Sequence, residues 1–171
     1  ALLGRADTEQ TQPGLLVPLS ATWWLAPSGS RGLTARFWDL DNRRLETVTT
    51  GRAAGADPAF QRSEDAPLVW GASVRTLLSG PLRLAGATRR GDGALAPSRR
   101  TMVTRCGGYD GIDLAALSHE LGSLRRGPRA AGFEAPAPPV RLLLTRASGL
   151  GRFDLGEIHQ QYVWPVHDEA G

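Results

Sequence analysis

Alternation of apolar and polar positions is the clearest pattern in the chain, and it is strongest between residues 33 and 50. Leu33, Ala35 and Phe37 alternate with residues of the opposite face, and β-branched residues dominate positions 47–50. A period of two predicts strands with one buried face. Asp41-Asn42 lies between the two arms and suits a tight turn, because both residues tolerate a positive φ. The pattern therefore predicts a β-hairpin here.

Weaker apolar runs predict further strands on both sides of this hairpin. They are bounded by clusters of Gly, Pro, Ser and Asp, of which 27–30 and 91–93 are typical turn sequences. Pro165 would confine the last strand to a sheet edge or a bulge. The predicted strands cover residues 15–25, 82–87, 102–106, 140–145 and 162–166.

Two segments show helical signals. Asp113 is a good N-cap, and leucines follow it at spacings of three and four along one face of a helix that would end at Gly127-Pro128. This predicts an amphipathic helix over about 113–126. A shorter helix is predicted near 73–78, ended by Gly80-Pro81. The sequence thus predicts an α+β fold, with antiparallel hairpins or a sheet beside one well-defined helix.

Length bounds the domain organisation. A chain of 171 residues is usually one domain, which can bury enough surface to fold without metal or disulfide. Residues 1–14 are predicted to be a flexible lead-in, and 15–171 a single α+β domain. Because the chain starts at Ala1 and ends in a turn-like sequence, we expect it to be part of a longer protein.

Arginine supplies all 20 basic side chains, and there is no lysine. Arginine suits phosphate, carboxylate and aromatic faces, so the surface could bind nucleic acid or an acidic partner. Isoleucine and asparagine are also scarce, however, which favours the codon bias of a high-GC bacterial genome. The net charge is only +3. Composition alone therefore identifies no ligand.

The single cysteine, Cys106, gives no sign of an oxidising compartment. Neither a transmembrane-length apolar run nor a signal peptide is visible in the sequence. We therefore expect a cytoplasmic protein without a membrane partner.

Catalytic and metal motifs are absent from the sequence. The histidines are scattered, no cysteine pair exists, and no nucleophile elbow or phosphate loop occurs. Cys106 is expected to be a small buried residue rather than a nucleophile. We predict no catalytic residue, no metal and no cofactor, and enzymatic activity stays open only through the long loop at 51–67.

Aromatic and basic side chains are the candidate interaction residues. Tryptophans could stack on bases or anchor a protein partner, although burial in the core is the alternative for such large side chains. Arginines of the 89–100 hairpin could form a basic patch, or could simply be solvated. The candidates are Trp23, Trp24, Trp38, Arg89, Arg90, Arg99 and Arg100.

The segment from Tyr162 to Asp168, the hairpin 33–51 and the Asp92-Gly93 turn resemble accessory regions of bacterial SWIM-type zinc-finger proteins. In that family some members are thought to work with AAA+ ATPase and von Willebrand A-type partners. The family's Cys-x-Cys…Cys-x-His ligands are missing here, so the resemblance implies no metal or nucleic-acid role. It implies an accessory, noncatalytic domain.

Three functions follow as hypotheses. The first is a noncatalytic interaction or scaffold domain of a larger bacterial protein or assembly, with another protein or other domains of the same polypeptide as partner. The second is single-stranded nucleic-acid binding through Trp and Arg side chains. The third is an enzyme without a recognisable motif.

Overall fold

The computed structural model describes residues 8–55, 63–113, 115–117, 147–152, 154–156, 161–163 and 166–168. Contacts divide the chain into two compact units, 1–111 and 112–171. The first unit contains β1 Thr8–Gln10, β2 Leu16–Leu25, β3 Arg31–Asp39, β4 Arg44–Arg52, β5 Pro67–Val69, β6 Ala72–Ser73, α1 Val74–Leu78, β7 Leu82–Ala85, β8 Thr88–Arg90 and β9 Met102–Arg105. The second contains β10 Ala147–Leu150, β11 Asp154–Gly156, β12 Gln161–Val163 and β13 Val166–Asp168.

The α+β prediction is wrong: the described chain is mostly antiparallel sheet, with two short helical segments and no long amphipathic helix. Of the helix expected at 113–126, only 115–117 is described as helical, and 118–126 lies outside the described residues. Asp113 does cap this turn, since its Oδ1 accepts from the amides of Ala115 and Ala116 at 3.0 and 2.9 Å. The strand expected at 140–145 also lies outside the described residues.

The predicted hairpin is confirmed. β3 and β4 pair antiparallel from Arg31↔Arg52 to Asp39↔Arg44, around the Asp41-Asn42 turn. Asp39 is fully buried and holds this turn, because its carboxylate accepts from the amides of Asp41 and Asn42 at 3.1 and 3.0 Å.

Three other local predictions are confirmed. β2 and β7 lie within the strands predicted at 15–25 and 82–87. α1 lies within the helix predicted at 73–78, and the Ser73 side chain accepts from the Thr76 amide as its N-cap. Thr8–Gln10 differ from prediction: they fall in the lead-in expected to be flexible, but they form β1 and pair with β8.

Most strand pairings of the first unit run in a ring, while β9 pairs with β7 outside it and β5 pairs with β6. β4 pairs with β3, β3 with β2, and β2 with β7, while β1 pairs with β8 just after β7. Leu95 completes the ring, since it forms an antiparallel bridge to Arg89 and a parallel bridge to Val48. β1 and β2 act as one bent barrel strand, as do β7 and β8. The result is a small barrel of four strands that the bridging residue Leu95 closes.

The order of this barrel is that of the OB fold. Its third strand is β4. The fifth position is taken by Leu95, a single bridging residue that pairs parallel with β4, and α1 is inserted between the third and fourth strands. A partly open five-stranded Greek-key barrel defines this fold class. The barrel is filled by buried apolar side chains, among them Leu16, Leu33, Ala35, Phe37, Val48, Leu77, Leu82 and Leu95.

Trp70 ties the β5–β6 hairpin to the segment that follows Leu95. Its φ of 53° and the 72° of Gly71 are both positive, as in the two-residue turns typical of hairpins. Such a φ is strained for a tryptophan. Burial of the indole against Phe37, with ring centroids 5.8 Å apart, and a 2.8 Å hydrogen bond from Nε1 to the Ala96 carbonyl offset this strain.

Trp70→Phe is expected to lower the free energy of unfolding by about 1 kcal/mol, because it keeps a ring in the core but leaves the Ala96 carbonyl without its donor. Urea titration followed by circular dichroism measures the change. Trp24→Phe is the matched control, since Trp24 Nε1 has no hydrogen-bond partner among the described residues. Equal losses in the two variants would contradict the role of the Trp70 hydrogen bond.

Candidate functional site

The outer face of β2, β3 and β4 carries residues that the core does not use. Residues directly opposite one another in a sheet share a face. The register aligns four outward rows across these strands: Val17, Trp38 and Leu45; Ser20, Arg36 and Thr47; Thr22, Thr34 and Thr49; and Trp24, Gly32 and Gly51.

An irregularity in β2 decides which of the adjacent tryptophans faces outward. The register shifts between Pro18 and Ser20. Before the shift an even-numbered residue, Leu16, points into the core, and after it the odd-numbered residues Ala21 and Trp23 do. Trp23 consequently packs against the core and is half-buried. Trp24, its neighbour, points to the outer face, since successive strand residues alternate.

Trp24 lies over two glycines of the neighbouring strands. A Cβ on Gly32 would be 2.4 Å from Trp24 Cζ2, and a Cβ on Gly51 would be 2.8 Å from Cη2. The benzo edge of the indole therefore occupies the space that two side chains would take. Glycine within a strand often marks such a close approach. The indole is held by packing on the sheet and stays half-exposed at its surface.

Trp38 faces outward at the other end of the same sheet but is only 2% exposed. Val17, directly opposite it, is also 2% exposed. This end of the face is therefore covered, and Trp38 presents no ring to a ligand.

Hydroxyl groups and one arginine lie between these ends. Thr34 and Thr49 are directly opposite, and their Oγ1 atoms are hydrogen-bonded at 3.0 Å. Thr22 is exposed beside them, and Arg36 is half-buried in the next row. The open part of the face is thus polar, with one aromatic surface at its edge.

Arg89 belongs to a structural ion pair. Its guanidinium donates to both carboxylate oxygens of Glu46, at 2.9 and 2.7 Å, and Glu46 is 1% exposed. The hydrogen bond to Glu46 raises the pKa of Arg89, so the guanidinium stays charged at any accessible pH. Arg44 also contacts this carboxylate, at 3.0 Å. The positive charge of Arg89 is consequently paired with the buried Glu46 carboxylate.

The other arginines of the 89–100 hairpin separate into two sets. Arg90 is paired with the Asp92 carboxylate in the turn. Arg99 and Arg100 lie in the following turn, where both are exposed. Among the described residues, the Arg99 side chain has no hydrogen bond or ion pair. The hairpin therefore does not present four available guanidinium groups, and Arg99 and Arg100 are the accessible ones.

A groove of about 630 Å³ adjoins the outer face at Gly51. One wall is the end of β4, and the others come from the β5–β6 hairpin and the turn after Leu95. The lining residues are Thr49, Thr50, Gly51, Arg52, Pro67, Leu68, Gly71, Pro97 and Arg99. Gly51 thus lies both under the Trp24 ring and in this groove.

Several residues of this site were not among the candidates from the sequence. Gly32, Gly51, Arg36 and Arg52 matter through their positions in the β3–β4 register. Two glycines inside otherwise good strands are the signal that could have indicated a ring lying across the sheet. The groove has no such signal, because its walls come from segments distant in sequence.

Among the described residues, no group of three or more His, Cys, Asp or Glu side chains is placed to hold a metal ion. Cys106 is exposed rather than buried, which corrects the expectation from its sequence context. In the described part of the chain, no helix has the length and apolarity needed to cross a membrane.

Comparison with known proteins shows no matching family model, no matching curated protein and no matching solved structure.

Proposed function

We propose that this chain is a noncatalytic binding domain that holds single-stranded nucleic acid on the outer face of β2, β3 and β4. The observation that carries the proposal is Trp24, whose indole lies over Gly32 and Gly51 at the open end of this face. Every base has a π-face, so an aromatic ring at a sheet surface can stack on single strands of any sequence.

The polar groups beside Trp24 support the same ligand. Arg36 supplies a cation for the phosphodiester backbone, and the threonine hydroxyls of the neighbouring row supply donors and acceptors. The OB barrel is a fold class whose second and third strands carry oligonucleotide and oligosaccharide sites, and here those strands are β3 and β4. Fold alone assigns no function, so the proposal rests on these side chains.

This proposal is a specific case of the broader hypothesis that the chain is a noncatalytic interaction domain of a larger bacterial protein. Nucleic acid is the occupant that we propose for the outer face, while a protein partner would use the same aromatic anchor. A cytoplasmic location, expected from the sequence, would give access to nucleic acid. The resemblance to SWIM-associated regions stays a prediction and contributes nothing to the assignment.

The test is fluorescence anisotropy of a labelled oligothymidylate of about 12 nucleotides, a length that covers the usual site size of one OB barrel. Affinity should fall as NaCl rises from about 20 to about 200 mM, with a slope of about −0.7 for each phosphate contacted. A duplex of the same length is the control and should bind more weakly, because its bases are not free to stack. Absent binding at low salt, or binding that salt does not change, would refute the proposal.

A further inference from the structure

The groove beside Gly51 has the mixed chemistry of a nucleotide subsite. Arg52 and Arg99 provide two cations, and Thr49 provides a hydroxyl group. Pro67, Leu68 and Pro97 form apolar surface between them. A nucleotide presents complementary groups, namely an anionic phosphate and the apolar edge of its sugar and base. The volume of about 630 Å³ is within the range of small-ligand sites.

We infer that this groove binds the nucleotide adjacent to the base on Trp24, with Arg99 contacting its phosphate. The inference rests on the proposed function and extends it from one stacked base to a continuous path. Gly51 provides the continuity, because it lies under the Trp24 ring and also lines the groove. Because Gly51 has no side chain, none projects from this position of β4 between the Trp24 ring and the groove.

The two cations of the groove have different roles. The Arg52 guanidinium donates to the carbonyl of Gly51 at 3.0 Å, so it is already engaged at the strand end. Arg99 is exposed and has no hydrogen bond or ion pair to the described residues. Arg99 is therefore the group that can turn toward a phosphate without breaking a contact described here.

The walls of the groove are held in place before any ligand arrives. Trp70 lies between Leu68 and Gly71 of one wall, and its indole donates at 2.8 Å to the Ala96 carbonyl, next to Pro97 of the other wall. The Trp70 ring is 4% exposed and anchored in the core. A preformed groove costs less to occupy, because fewer groups must be ordered on binding.

The experiment compares Arg99→Ala and Arg99→Glu with Arg105→Ala, which removes an exposed arginine of β9 that is not in the groove. Binding of the labelled oligothymidylate is measured over the same salt range. Arg99→Ala should weaken binding about fivefold and make the salt slope shallower by about 0.7, the loss of one phosphate contact. Arg99→Glu should weaken it further, and Arg105→Ala should change neither quantity.

The outcomes separate this inference from the proposed function. If Arg99→Ala and Arg105→Ala have equal effects, the arginines act only through overall charge and the groove is not a subsite. If Trp24→Ala weakens binding while both Arg99 variants bind like the parent chain, the inference fails and the proposed function stands. If the parent chain does not bind, the proposed function fails. Circular dichroism of each variant verifies folding, which removal of an exposed side chain should not disturb.

Discussion

Trp24→Ala is expected to weaken binding of the single-stranded oligothymidylate about 5- to 150-fold, which corresponds to the stacking of one base on an aromatic ring. The physical reason is that Trp24 is only partly buried on the outer face of the described sheet, whereas Trp38 on the same face is 2% exposed. Arg36 and the threonine row would remain, so the salt slope should be nearly unchanged. Anisotropy titrations at several salt concentrations measure the affinity and the slope together.

Two further variants test whether the loss of affinity in Trp24→Ala depends on the position of the Trp24 ring and not only on removal of a large side chain. Gly51→Ala places a methyl group 2.8 Å from Trp24 Cη2, so the ring must move, and affinity should fall while the ring is still present. Leu25→Ala removes a 62%-exposed apolar side chain from the end of the same strand and should not change affinity. Parental affinity in both Trp24→Ala and Gly51→Ala would exclude the proposed stacking site.

Arg89→Ala is expected to lower the free energy of unfolding by about 3 kcal/mol, because it leaves the buried Glu46 carboxylate without its bidentate partner. Arg44 still contacts Glu46 at 3.0 Å, which keeps the loss at the lower end of the range for a broken buried pair. Urea denaturation measures the change. Arg90→Ala is the matched control and should cost little, since the Arg90 and Asp92 side chains are both substantially exposed.

The double substitution Arg89→Met with Glu46→Leu distinguishes loss of a charge pair from loss of packing. If the cost of Arg89→Ala comes from an uncompensated buried charge, replacing both partners by apolar groups should recover most of the stability. A double variant as unstable as Arg89→Ala would contradict this explanation. Provided that the variant folds, loss of the Arg89 side chain should not change the affinity for the oligothymidylate, because Arg89 is paired with Glu46.

Local features of the fold were predictable from sequence. The Asp41-Asn42 turn, the Asp113 cap, the short helix near 73–78 and the β3–β4 alternation each depend on residues within a few positions of one another. The fold class was not, because one leucine repeat suggested a long helix while several strands of the described chain have only three or four residues. Strands this short are too brief for a period of two to be recognised.

The candidate site shows the same division. Trp23 and Trp24 are adjacent on one strand and must therefore face opposite sides, but the shift between Pro18 and Ser20 determined which one faces out. Sequence also grouped Arg89 with Arg99, although the partner of Arg89 is Glu46, 43 residues away along the chain. A pairing over such a distance depends on how the strands assemble and has no local signature.

By itself, the sequence determined the Asp41-Asn42 turn, the Asp113 cap, the β3–β4 hairpin and the set of aromatic and basic residues from which a site could form. Only the tertiary structure decided that Leu95 closes a barrel, that Trp23 packs on the core and Trp38 is buried, and that Trp24 lies on the outer face beside a groove containing Arg99. The reason is physical: turns and caps are short-range hydrogen bonds, whereas exposure depends on which distant strands pair and cover one another.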